Sequence, residues 1–156
     1  MKKGYQFLID PTRRHQLMKL LKNKWAKILL VSACFAASII GFMIKLPSSF
    51  RQFDKELHSL FYFLAAAFLN ILFTTKKIAG HIFIFGSLYL FGIAIEYAQA
   101  YSNKLSHVRM HGRYDPEDVQ SNLKGLIAFS ILWIVCVAFL FVYNKVTSKE
   151  VVNKGE

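Results

Sequence analysis

The stretch LIAFSILWIVCVAFLFVY, residues 126–143, contains no Asp, Glu, Lys, Arg or His. A helix needs roughly 20 apolar residues to cross the hydrocarbon of a bilayer. A core helix of a soluble domain would show polar positions every third or fourth residue, and this stretch shows only Ser130. Three more stretches of this kind precede it. Residues 28–44 are free of charge, residues 57–75 hold His58 near their start, and residues 78–95 hold His81 near their start and end at Glu96. The pattern predicts an all-α protein, a four-helix transmembrane bundle.

The composition agrees and closes off other classes. The chain has 156 residues, 54% hydrophobic and 15% aromatic, with a net charge of +11 from 20 basic and 9 acidic side chains. That is too apolar for a disordered chain. Cys34 and Cys136 are too few for a disulfide framework and read as small buried thiols. The basic segment before residue 28 is too long for the n-region of a cleaved signal peptide, which makes the first stretch an uncleaved helix. The organisation expected is a basic tail over 1–27, a membrane domain over 28–143 and a second tail over 144–156.

The basic residues set an orientation. The segments on the side of the termini carry 13 Lys and Arg, and the first and third loops carry 7. By the positive-inside rule both termini face the cytoplasm. Residues 13–28 place Leu17, Leu20, Leu21, Trp25 and Ile28 at helical spacing among Arg13, Arg14, Lys19, Lys22, Lys24 and Lys27. Such a segment reads as an N-terminal interfacial amphipathic helix on anionic membrane lipid. No base-reading motif accompanies the charge, so nucleic acid is not an expected partner.

The remaining polar residues converge at the opposite end of the spans. Asp54 and His58 share a helix face, with Tyr62 one turn deeper. Glu96 and Gln99 stand three apart at the end of the third span, and Asp115, Asp118 and Asn122 lead into the fourth, followed by Gly125. Together they can build one wet pocket under the outer surface. A carboxylate such as Glu96 beside apolar helix is costly unless paired or neutralised. Spacing alone leaves four readings open: an interhelical polar cluster, an active site, a ligand pocket and, weakest of them, a metal site. His58, Glu96, Asp115 and Asp118 are dispersed and no compact ligand pair such as HExxH is present, so no metal or cofactor is expected.

Three motifs carry a resemblance. Asp54-Lys55-Glu56-Leu57-His58 with Tyr62 reads D-K-x-x-H-x-x-x-Y, Glu96 to Gln99 reads E-x-x-Q, and Arg113 through Gly125 reads R…D-x-x-D-x-x-x-N-x-x-G. In this order, over roughly residues 28–143, they resemble the VanZ-like family of small bacterial membrane proteins. The family takes its name from a member associated with low-level teicoplanin resistance. The resemblance implies an integral protein of the bacterial cell membrane linked to envelope antibiotics. It carries over to Asp54, Lys55, His58, Tyr62, Glu96, Gln99, Arg113, Asp115, Asp118, Asn122 and Gly125. Phe129 stands where members often have a second glycine, and Arg109 competes with Arg113 for the arginine position.

Two functions follow as expectations. In the first, an enzyme acts on an envelope lipid or wall-related molecule. His58 is the general base, oriented by Asp54; Glu96, held protonated by its apolar setting, is the general acid; Asp115 and Asp118 are further catalytic candidates. Lys55 and Arg113, with Tyr62, Gln99 and Asn122, hold the substrate's phosphate or carboxylate. In the second, a non-catalytic accessory protein binds an amphiphile or glycopeptide-like ligand at the same pocket, or uses the cluster only structurally. The absence of a G-x-S-x-G nucleophile motif removes support for covalent catalysis. With no inverted repeat and no charge deep in a span, transport is disfavoured for a monomer. The sequence leaves the oligomeric state open.

Overall fold

The computed structural model describes residues 23–43, 53–73, 77–105 and 114–153. They form four helices and, among the described residues, no strand: α1 Lys24–Met43, α2 Asp54–Phe73, α3 Ile78–Leu105 and α4 Pro116–Asn153. All four are long and apolar enough to cross a membrane. The all-α, four-helix expectation is therefore met. The chain divides into two compact units, residues 1–44 and 45–156.

In the first unit, Asn23 caps α1: its side-chain oxygen accepts the Trp25 amide proton at 2.9 Å. Residues 24–28, expected to close an interfacial helix, form the first turn of α1 instead. The capping asparagine sets the start of α1 ahead of the apolar stretch. Residues 13–22 of the expected amphipathic helix lie outside those described. No residue of α1 is buried. Ser38 lies in this apolar helix with its hydroxyl donating to the Cys34 carbonyl at 2.7 Å, which removes the cost of a bare polar group in hydrocarbon.

The second unit packs α2, α3 and α4 together, with α2 against α4 as the main pairing. Gly125 makes that pairing possible. A Cβ at this position would fall on the carbonyl oxygen of Ser59 and crowd the Phe63 amide, so the two backbones touch with no side chain between them. One turn on, the Phe63 and Phe129 rings meet edge to face at 5.7 Å.

This unit buries several polar groups within an apolar core that includes Leu69, Leu88, Leu126 and Phe129, and exposes large apolar side chains. His58, Asn70, His81, Glu96, Ser121 and Asn122 are buried, whereas Leu60, Leu64, Ile71, Phe83, Leu90, Ile131, Val135 and Phe139 are exposed. A water-soluble fold would pay for that arrangement on both sides; in lipid, apolar exteriors are solvated and polar groups turn inward. Cys34 and Cys136, expected to be buried, are both exposed and free. Both lie on apolar outer faces, which a bilayer covers as a core would.

The helices outrun the apolar stretches that announced them. α3 continues beyond residue 95 to Leu105, and α4 starts at Pro116 rather than at residue 126. Asp115 explains the early start of α4: its carboxylate accepts the Glu117 amide proton at 2.8 Å, and Pro116 follows at the first helical position.

Candidate functional site

The site lies where α2 and α4 begin and α3 nears its end. α2 and α4 run parallel, so both of their N-termini point at this end. Their first turns carry Asp54 and Glu56 in α2, and Glu117 and Asp118 in α4. The two helix dipoles favour these carboxylates.

His58 is the centre. It is 6% exposed and is held from both sides. Its Nδ1 lies 2.9 Å from Asn122 Oδ1. An amide oxygen only accepts, so Nδ1 carries a proton and donates it. The opposite nitrogen, Nε2, stands 3.8 Å from Asp54 Oδ1, one helical turn back. Asp118 brings a third donor atom to this group, and one ligand-type atom each from Asp54, His58 and Asp118 lies within 4.8 Å of the others.

Below His58, Tyr62 is fully buried with its hydroxyl against Gly92 of α3. A Cβ on Gly92 would stand 2.8 Å from Asn122 Nδ2 and 3.0 Å from Tyr62 Oη, so α3 presents bare backbone to both side chains. Glu96, one turn further along α3, is 2% exposed. Its Oε2 accepts the Asp115 amide proton at 3.4 Å, and its Oε1 is buried without a hydrogen-bond partner. Its charged neighbours are Asp118, His58 and Asp115.

The expected site residues therefore sort by place. Asp54, His58, Tyr62, Glu96, Asp118 and Asn122 are brought together. Asp115 sits beside them, but its carboxylate is engaged in capping α4. Lys55, expected to hold an anionic group, forms an exposed ion pair with Glu117 at the rim. Gln99 is half-buried further along α3, its carbonyl accepting the Ser102 hydroxyl proton at 2.7 Å. Arg113 and its rival Arg109 lie outside the described residues. Tyr97 and Tyr114 are exposed at the rim with ring centroids 4.9 Å apart, the setting of interfacial aromatics. Lost hydration, then Tyr97 and Glu96, raise the Tyr114 phenol above its ordinary value.

A second polar group was not anticipated. His81 of α3, 5% exposed, places Nδ1 3.2 Å from Asn70 Oδ1 of α2 and Nε2 3.0 Å from Ser130 Oγ of α4. Trp133 stacks on its ring at 4.3 Å. Asn70 Nδ2 donates to the Ala66 carbonyl, and Ser130 Oγ to that of Leu126. The signal was present in the sequence. Asn70 lies five residues before the end of the 57–75 stretch and His81 three residues after the start of the 78–95 stretch, near the same end of antiparallel neighbours.

Comparison with known protein families, curated proteins and solved structures gave no match.

Proposed function

We propose that the chain is a VanZ-like, multi-pass protein of the bacterial plasma membrane with both termini in the cytoplasm. Its polar pocket opens on the outer side and acts on, or binds, the polar part of an envelope lipid or wall-related molecule. Through that molecule it lowers susceptibility to teicoplanin-type glycopeptides. The observation that carries the reading is His58, buried, held by Asn122 at one nitrogen and facing Asp54 with the other, beside a buried Glu96 whose Oε1 has no hydrogen-bond partner. Membrane helices seldom bury ionisable groups without a use for them. An oriented imidazole next to a buried carboxylic acid is a pair able to take and return a proton. The acidic lining and the engagement of Lys55 by Glu117 favour a hydroxyl-bearing or cationic group over a bare phosphate.

A second reading is favoured by the contacts that cross between helices. Asn122 to His58 and Asp115 to Glu96 both fasten one element to another, as a non-catalytic binding protein or a purely structural cluster would. One experiment separates the two. Purified protein is incubated with envelope lipids and wall precursors, wild type beside Glu96→Gln and Asp118→Asn, and the products are read by mass spectrometry. A mass change made by wild type and lost in both variants supports chemistry; ligand retention with no mass change supports binding alone. The orientation has its own test. In a cysteine-labelling scan, residues 102–112 should react with an impermeant reagent from outside the cell, and labelling only from the cytoplasm overturns the outward pocket.

A further inference from the structure

The structure assigns a divalent-cation site to Asp54, His58 and Asp118, beside the buried Glu96. This does not depend on what molecule the pocket binds. The sequence argued against a metal because the donors are scattered along it; the fold removes that objection by drawing two helix starts together.

Three independent features converge. The first is proximity: the donor atoms of Asp54, His58 and Asp118 lie within 4.8 Å of one another. Donors about 2.0–2.2 Å from one ion stand roughly 3–4 Å apart. The Nε2 to Asp54 Oδ1 separation of 3.8 Å already meets that, and a modest rotation of the half-buried Asp118 closes the rest. The second is the tautomer. Metal-bound histidines characteristically donate their other ring N–H to a carbonyl or carboxylate, which fixes the ring and raises its basicity. His58 is placed to do this through Nδ1 to Asn122 Oδ1, with Nε2 turned to the side of the carboxylates. The third is Glu96. It is 2% exposed, has Asp118 and His58 among its charged neighbours, and keeps Oε1 without a hydrogen-bond partner. A cation held by Asp54, His58 and Asp118 offsets the gathering of carboxylates near Glu96.

The donor set names the class of ion. An imidazole with carboxylates suits Mn2+ or Zn2+ better than Ca2+ or Mg2+, which prefer all-oxygen shells.

The test uses the full chain in detergent micelles or nanodiscs, stripped with chelator and titrated with Mn2+, Zn2+ or Mg2+. Bound metal is counted by equilibrium dialysis with elemental analysis. The expected result is one Mn2+ or Zn2+ per chain, held at least tenfold more tightly than Mg2+. Asp118→Asn should weaken it tenfold or more, and Glu56→Gln, exposed on the first turn of α2, should leave it unchanged. With Mn2+ bound, pulsed electron paramagnetic resonance should show a directly coupled imidazole nitrogen, lost in His58→Gln. Failure of the wild-type protein to retain stoichiometric metal overturns the proposal, as does retained metal without nitrogen coupling. The two wild-type readouts, stoichiometry and nitrogen coupling, need neither a substrate nor a variant.

Discussion

His58 and Asn122 meet across the α2–α4 contact, with Nδ1 donating to Oδ1 at 2.9 Å, so that one residue fixes the ring state of the other. Asn122→Leu leaves the buried Nδ1–H without its acceptor. Polar contacts within membrane proteins are worth about 0.6 kcal/mol on average and about 2 at most. A loss in that range is expected in an SDS-unfolding titration. The imidazole 15N shifts should change from a single Nδ1–H pattern to a mixture. Unchanged shifts would show that Asn122 does not set the tautomer.

The glycines should separate sharply under substitution by alanine. At Gly125 the new Cβ meets the Ser59 backbone, which has no rotamer to yield, and overpacking of this sort costs about 1–3 kcal/mol or more. At Gly92 it meets the Asn122 and Tyr62 side chains, which can move, so a smaller stability loss should come with disturbance of His58. Gly41 and Gly86 have nothing within 4 Å. There alanine should be neutral or stabilising by about 0.5–1 kcal/mol. Thermal unfolding of the four variants in one detergent checks the order.

The Lys55 and Glu117 pair is exposed on both sides. Exposed ion pairs contribute about 0–1 kcal/mol. Lys55→Ala should therefore leave the melting temperature nearly unchanged, including at high salt. A large loss would mean that Lys55 bears on the buried cluster rather than on the rim.

His81 should behave otherwise. Replacing it by leucine removes contacts to Asn70 and Ser130 and the stack on Trp133 together. A double-mutant cycle of His81→Leu with Asn70→Leu should give a coupling of about 0.5–2 kcal/mol. Additive effects would show that the hydrogen bond contributes nothing to holding α2 and α3.

Much of this fold is legible in the sequence. Four uninterrupted apolar stretches admit few structures other than four membrane-length helices, because backbone polar groups in hydrocarbon must be satisfied within the segment. The shared face of Asp54, His58 and Tyr62 followed from helical spacing. Asp115, Asp118 and Asn122 already led into α4, but other helix ends did not follow: apolar stretches mark the hydrocarbon, whereas Asn23 starts α1 five residues before its stretch and α3 runs ten residues past its own. Nor did the division of labour among the acids. Glu96 stood apart by its apolar setting, but Asp115 and Asp118 look equivalent as letters. Only the fold shows the first capping a helix, the second joining His58 and Asp54, and Glu96 buried with an oxygen to spare. The Asn70–His81–Ser130 group was missed because each member alone is an unremarkable polar residue in an apolar run.

The two histidines have a joint consequence. Between smooth apolar helices in lipid, sliding by a turn exchanges one set of contacts for a similar one. Here His58 joins α2 to α4 at one end, His81 joins α3 to both near the other, and Gly125 allows close approach at one height only. A shift of one helical turn would break all three at once. The unit is thereby keyed like a lock barrel with pins at two depths, and any motion open to it is a tilt or a rim movement rather than a slide.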